Sequence, residues 1–212
     1  MTATQAPTGR TNQKLRTRTA IVEATRELIR SGHEVTMPEV ARAALVSEAT
    51  AYRYFPDLVS LLTEAMVGLW PSPADALEPV AGSDDPVERI AFACEFLLRG
   101  VLAYQGAVRA MISTTITRPE LAATRPGIRF GLIDHALAPL ADTLATAAPE
   151  AFAQLQRDLA VVMSAEAIFC LTDLCRLGPD EAVASAVRTA STLTQAALRA
   201  ATTTGTTTGT PC

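Results

Sequence analysis

Aromatic side chains make up only 5% of this 212-residue chain, and runs of β-branched residues are few. With long stretches rich in Ala, Leu and Arg, that scarcity favours helix over sheet and predicts an all-α fold. Cysteine is scarce too. Cys94, Cys170, Cys175 and Cys212 form no Cys-x-x-Cys pair and have no histidine at ligand spacing, which excludes a structural zinc site and a disulfide framework and leaves reduced thiols. No uninterrupted apolar run reaches the roughly 18 residues of a membrane helix, and Met1 to Gln13 is polar, without the apolar core of a signal peptide. A cytoplasmic protein is expected. The two histidines, His33 and His135, fall in different predicted domains, and the chain has no Gly-rich phosphate loop and no nucleophile motif. Neither catalytic residues nor a cofactor nor a metal ligand is predicted.

What is present is a hydrophobic fraction of 49%, enough for a sizeable core in one large or two small domains. The net charge of −4 alone argues against a polyanionic partner, but its distribution does not. Residues 1–33 carry six basic side chains (Arg10, Lys14, Arg16, Arg18, Arg26, Arg30) against two acids, whereas from residue 65 onward ten Arg face fifteen Asp or Glu. One end is suited to a polyanion and the remainder is repelled by it.

Residues 1–13 read as a flexible arm, and the Thr- and Gly-rich end 201–212 as a disordered tail. A first helix spans about 14–31, placing Ile21, Ala24, Leu28 and Ile29 on one face and stopping at Gly32. Thr36-Met37-Pro38-Glu39 is a capping box that starts a short helix over 37–44. Ser47 caps another to about Tyr54, and Pro56-Asp57 a fourth over about 58–69. The segment Trp70-Pro71-Ser72-Pro73 and the acidic loop to Asp85 mark a boundary between a first domain at 14–69 and a second at 84–200. In the second, Asp85-Pro86-Val87-Glu88 caps a helix to about Leu102. Further helices are predicted over about 105–117, 125–147, 149–177 and 179–201, the last two forming a hairpin around Gly178-Pro179.

Two short helices joined by three or four residues cannot bury a core alone and must lean on the first and fourth. Val40, Ala41, Ala44, Val46, Ala51 and Phe55 fit the inward role. The second short helix then exposes small and polar groups at its start and Tyr and Arg near its end, as a major-groove reader requires. The run from Thr36 to Pro56, ending in Tyr52-Arg53-Tyr54-Phe55, with Ile21 to Gly32 before it and Leu61-Leu62 after it, resembles the DNA-binding signature of the TetR family. That resemblance covers the first third of the chain and implies a helix-turn-helix transcriptional regulator. It implies a phosphate contact by Thr36, base-edge contacts by Ser47, Glu48, Ala49 and Thr50, and groove or backbone contacts by Tyr52, Arg53 and Tyr54; Arg42 is a further candidate phosphate contact, and Lys14, Arg16 and Arg18, with Arg10, are the basic residues on which DNA binding can also lean. For Tyr52 and Tyr54 packing is the alternative, and for Arg42 a solvated face. Two positions depart from the family pattern. Leu45 stands where glycine usually makes the turn, which implies either strain, since a non-glycine pays for positive φ, or a different turn. Leu58 stands where lysine usually meets a phosphate.

Between Leu159 and Leu171 the helix predicted over 149–177 is apolar nearly all round, so burial on several sides is expected. The following helix carries Ala182, Ala186, Ala190 and Ala197, which permit close approach. Such a hairpin meeting its symmetry mate gives a two-fold dimer, and the resemblance places the dimer interface on these two helices, over about 149–177 and 179–201. Two-fold symmetry predicts a palindromic operator. Phe92, Phe96, Tyr104, Met111, Phe130, Met163 and Phe169 either line a cavity or are core. Asp134, His135 and Glu166 are candidate polar anchors for a small, mainly apolar effector. Glu166 alternatively serves an ion pair or dimer contact, and His135 is alternatively a hydrogen-bonded core or surface residue. The resulting expectation is a repressor released from its operator when ligand shifts the dimer to a state with misplaced recognition helices. A helical scaffold protein would explain the apolar hairpin but not the basic first helix, capping box and Tyr-x-Tyr-Phe together.

Overall fold

The computed structural model describes residues 9–32, 34–141 and 148–206, and among them every regular element is helical. The chain divides into two compact units, one formed by residues 1–70 and 104–126, the other by 71–103 and 127–212.

In the first unit, helix α1 (Gly9–Arg30) starts within the segment predicted as an arm, so residues 9–13 are helical, and residues 1–8 lie outside the described residues. Its buried face is Ile21, Val22, Thr25 and Ile29, at the i, i+4, i+8 spacing of one helix stripe; Ala24 and Leu28 are only half-buried. The Thr25 hydroxyl donates back to the Ile21 carbonyl at 2.8 Å, which lets a polar side chain enter the core. α1 ends at Gly32, whose φ of 71° only glycine adopts without strain.

Helix α2 (Met37–Ala43) is capped by Thr36, α3 (Glu48–Tyr54) by Ser47 and α4 (Leu58–Met66) by Asp57, whose carboxylate accepts from the Ser60 N–H at 2.7 Å. α4 stops at Met66 rather than Leu69, and Gly68 follows with φ 80°. One core joins Ile21, Ile29, Val35, Val40, Ala51, Phe55, Val59, Leu61 and Leu62 to Ala107 and Met111 of helix α7 (Gln105–Thr117). The sequence boundaries placed residues 105–117 in the second domain; their contacts group them with the first unit. The physical reason is the i, i+4, i+8 face Ala107, Met111 and Thr115, all buried, which covers the outer side of α4. Tyr104 meets Trp70 edge to face with ring centroids 6.1 Å apart, and a 3₁₀ turn (Pro119–Thr124) accepts the Thr63 hydroxyl at the Thr124 carbonyl, 3.0 Å.

The second unit contains short helix α5 (Pro73–Ala76) and a 3₁₀ turn (Glu78–Val80), both inside the segment read as an irregular loop. They are followed by helix α6 (Pro86–Ala103) and, after the excursion into the first unit, α8 (Ile128–Ala136). The helix predicted over 125–147 is thus shorter at its start and turns at Leu137; residues 142–147 lie outside the described residues. Ile90, Ala93, Cys94, Leu97, Leu98 and Val101 of α6 are buried. They pack on the small-residue face Ala182, Val183, Ala186 and Ala190 of helix α11 (Pro179–Thr206). α11 runs on through residues 201–206, predicted as tail, while 207–212 lie outside the described residues.

The single helix predicted over 149–177 is broken. α9 (Pro149–Val162) ends at Met163. Ser164 turns extended and caps α10 (Ala165–Phe169), accepting from the Ala167 N–H at 3.0 Å while donating to the Val161 carbonyl at 2.7 Å. A π-helical turn (Cys170–Leu174) follows, then Arg176 at φ 57°. Between Leu159 and Leu171, Leu159, Met163, Ala165, Ile168 and Phe169 are buried while Val161 is 70% exposed, and beyond that run Leu174 is 78% exposed. The cysteines in this unit are free thiols, Cys94 buried and Cys170 and Cys175 exposed; Cys212 lies outside the described residues.

Arg89 is buried inside this unit, 5% exposed. Its guanidinium donates to the Val80 (2.9 Å), Ser83 (3.4 Å), His135 (2.8 Å) and Ala136 (3.1 Å) carbonyls. Val80 ends the 3₁₀ turn and Ala136 ends α8, so one cation satisfies the free carbonyls of two helix C-termini.

Candidate nucleic-acid interface

The turn between α2 and α3 is a helix-terminating motif closed by two backbone bonds, Leu45 N–H to the Arg42 carbonyl (3.2 Å) and Val46 N–H to the Ala41 carbonyl (2.9 Å). In that motif the residue after the cap adopts a left-handed conformation, and here it is Leu45 at φ 55°, 92% exposed. Of the two alternatives for Leu45, the left-handed turn is the one observed. Leu58, in place of the family's lysine, packs against the core of the unit.

α3 is anchored by buried Ala51 and by Phe55, its C-terminal cap. Ser47, Glu48, Ala49, Tyr52 and Arg53 are exposed, Thr50 and Tyr54 half-buried. The Ser47 hydroxyl donates to Thr50 Oγ1 (2.9 Å), and Arg53 Nη2 donates to the same oxygen (3.5 Å), so the polar face is ordered along its length. Tyr54 packs on the core with the Arg53 guanidinium 5.7 Å from its ring centroid. Tyr52, 48% exposed, is free to reach outward. The helix therefore presents a slim start followed by a phenol and a guanidinium, dimensions that suit a major groove.

The basic residues around α3 divide into two kinds. Lys14 and Arg16 are exposed on α1. Arg42 is 78% exposed, 3.7 Å from Glu39. Arg18, by contrast, gives both terminal nitrogens to the two carboxylate oxygens of Glu64 on α4 and lies 4.9 Å from the Phe55 ring centroid. Arg26 donates to the Ala65 (3.0 Å) and Val67 (3.3 Å) carbonyls at the end of α4 and to Glu23 (2.6 Å). Arg30 pairs with Glu27 at 3.1 Å. Thr36 accepts from the Glu39 N–H (3.4 Å), and its hydroxyl donates to the Glu39 carboxylate (3.1 Å), so the capping oxygen is also tied within α2. Sequence reasoning treated Arg18 and Arg26 as plain positive charge. Arg18 stands four residues before buried Val22 and Arg26 four after it, a position beside the core face that was the available signal.

Residues 21–65 match the family model for bacterial regulatory proteins of the tetR family. Over this stretch, which carries α2, α3 and most of α4, the chain is similar to the TetR family. A solved TetR transcriptional regulator from Rhodococcus sp. RHA1 is similar in fold, with a TM-score of 0.50 and 22% sequence identity over 85% of this chain and 97% of that one. No curated protein matches the chain. The matched residues take in α2, α3 and the turn between them, the helix-turn-helix. Among the described residues no single helix is long and apolar enough to cross a membrane.

The residues proposed for an effector are divided between the two units. Tyr104 and Met111 belong to the first unit, the others to the second. There, Met163 and Phe169 are core, Phe92 and Phe96 are half-buried on α6, and Phe130 is 51% exposed with the Arg129 guanidinium 4.9 Å from its ring centroid. Glu166 has an ion-pair partner, Arg129 at 3.8 Å, the structural alternative its sequence context allowed. Asp134 accepts from Gln156 Nε2 at 2.8 Å and, with His135, lines an open surface cleft of about 470 Å³ completed by Ser72, Pro73, Ala74, Gly131 and Ala138. A Cβ on Gly131 would lie 2.9 Å from Pro73, so glycine is what lets α5 approach α8 at this cleft.

Proposed function

We propose that this protein is a cytoplasmic repressor that binds a palindromic operator as a homodimer and is released by a small, mainly apolar ligand. The observation that carries the DNA reading is the division of α3, whose Ala51 and cap residue Phe55 are anchored in the core while Ser47, Glu48, Ala49, Tyr52 and Arg53 stand free. In this reading the N-terminal turn of α3 enters the major groove, where Glu48 accepts from a cytosine amino group and Ser47 and Thr50 meet base edges. Arg53 and Tyr52 reach the groove wall, and Lys14, Arg16 and Arg42 contact phosphates. The dimer reading is supported by Val161 and Leu174, apolar and exposed beside the last two helical segments; a second copy covers them in a two-fold contact. The ligand reading places the effector in the second unit, near the Asp134–His135 cleft.

Fluorescence anisotropy on DNA upstream of the chain's own gene, against a scrambled duplex at several salt concentrations, tests the proposal. Salt-sensitive, preferential binding of two protomers per site is expected. Tyr52→Ala and Arg53→Ala should each weaken it by roughly 1–3 kcal/mol with melting temperatures little changed. Equal, weak binding to both duplexes and to genomically selected fragments would sink the repressor reading.

A further inference from the structure

By sequence Arg18 is among the basic residues on which DNA binding can lean, yet its guanidinium is already committed. Both terminal nitrogens are paired to Glu64, and its plane lies against Phe55. Phe55 is 2% exposed and terminates the recognition helix, its N–H donating to the Ala51 carbonyl at 2.9 Å. One side chain of α1 thus touches both the end of α3 and the body of α4.

We infer that Arg18 is a positioning residue for the recognition helix, fixing the C-terminal end of α3 against α1 and α4 through the Glu64 pair and the Phe55 stack. The inference rests on the DNA-binding reading above. The energetics separate positioning from stability. Side-chain exposures of 45% for Arg18 and 31% for Glu64 put the pair in the range where screening leaves little net stabilisation. The forked, two-point pairing and the ring contact nevertheless fix direction, which a point charge does not. A DNA phosphate would have to displace Glu64 to reach this guanidinium, whereas Lys14 and Arg16 on the same helix are exposed.

The test uses Glu64→Gln, Arg18→Lys and Arg18→Ala in the full chain, each checked for an intact thermal transition and titrated with operator and scrambled duplex across salt. Positioning predicts that Glu64→Gln weakens operator binding about ten-fold, within the coupling range of contacting residues, although removing an acidic charge by itself favours DNA. Arg18→Lys should fall as far as Arg18→Ala, because lysine keeps the charge but loses the fork. Scrambled-duplex affinity and the salt slope should stay at wild-type values. Tighter or unchanged binding by Glu64→Gln would overturn the inference. So would a wild-type-like Arg18→Lys beside an Arg18→Ala whose salt slope drops by about one, the mark of a lost phosphate contact. Amide residual dipolar couplings of residues 48–54, measured without DNA, decide the same point independently: reorientation of α3 in Glu64→Gln and Arg18→Lys supports positioning, and unchanged couplings refute it. Failure of wild-type protein to prefer its operator would count against the DNA reading alone.

Discussion

Three helices of the first unit begin on a side-chain oxygen placed immediately before them, Thr36, Ser47 and Asp57, and α7 begins without one; in the second, Ser72 and Ser164 cap the short helices α5 and α10 while α8 and α9 begin without any side-chain cap. The carbonyl ends differ as well. α1 closes at Gly32 and α2 at Leu45, both in left-handed backbone. The end of α8 is closed by Arg89, 46 and 47 residues away along the chain. α2 is thus closed locally, whereas the end of α4 takes Arg26 of α1 at its Ala65 and Val67 carbonyls, and α3 starts on its own cap and ends on a contact with Arg18 of α1. Long-range closure makes the second unit depend on one cation reaching several backbones at once.

Breaking Arg89 is therefore the severest challenge to that difference. Replacing it with methionine keeps the volume but leaves buried carbonyl groups without a donor, each costing about 1–3 kcal/mol. Arg89→Met should lower the stability of the second unit by about 3–5 kcal/mol, the range for removing one partner of a buried charged group. Denaturant unfolding followed by circular dichroism should separate an early transition from that of the helix-turn-helix unit. A single transition at the wild-type midpoint would mean that the carbonyl clamp is dispensable and the contrast between the units is illusory.

The same difference explains what could be read before any coordinates. Thr36, Ser47, Asp57 and Gly32 announce helix ends within a window of four residues, so the helix-turn-helix was legible nearly to the residue, while a Leu at position 45 left open whether its backbone is left-handed or the turn differs. The second unit hides its breaks. Ser164 sits in a run so apolar that periodicity suggested one continuous helix, and the cap was visible only as a lone serine followed by Ala165 and Glu166. Arg89 lies on the apolar face of α6, four residues before buried Ala93 and eight before buried Leu97; a charge on that stripe signalled a buried partner but not which one. The grouping of α7 with the first unit was illegible because its Ala107–Met111 face suits any apolar surface, and only the packed chain selects one. Of the candidate site, the outward face of α3 was readable by its period, while the engagement of Arg18 by Glu64, 46 residues away, was not.

A smaller change should sharpen the local side of the comparison. Leu45 makes the left-handed turn at a cost of roughly 1–2 kcal/mol for a residue with a Cβ, and at 92% exposure it recovers little by packing. Glycine removes that strain but adds about 0.5–1 kcal/mol of chain entropy to the unfolded state. Leu45→Gly should accordingly stabilise the first unit by about 0.5–1 kcal/mol, a rise of roughly 2–4 °C in melting temperature. A fall would show that Leu45 is held by contacts of its own.

The gentlest probe reads the second unit by itself, because all four cysteines lie outside the segments 1–70 and 104–126. Burial, with Glu95 adding to it, pushes the Cys94 thiol up from 9.0 to about 12, and a buried protonated thiol is a poor nucleophile. Exposed Cys170 and Cys175 should react with a maleimide at once, and Cys94 only as fast as the second unit opens. The sign of the pH effect follows from the raised value. Below pH 9 the thiol is protonated whether the unit is folded or not, so stability is unaffected. Between about 9 and 12 the unfolded thiol ionises while the folded one does not, and stability falls as pH rises. Comparing urea midpoints of wild type and Cys94→Ala at pH 8 and pH 10.5 isolates this contribution from every other titrating group. The gap between the two proteins should shift in favour of Cys94→Ala at the higher pH, and Arg89→Met should accelerate Cys94 labelling without touching the DNA-binding unit. Equal labelling of Cys94 in both backgrounds would separate the clamp from the packing of α6, leaving Arg89 to order the chain on either side of α8 and nothing deeper.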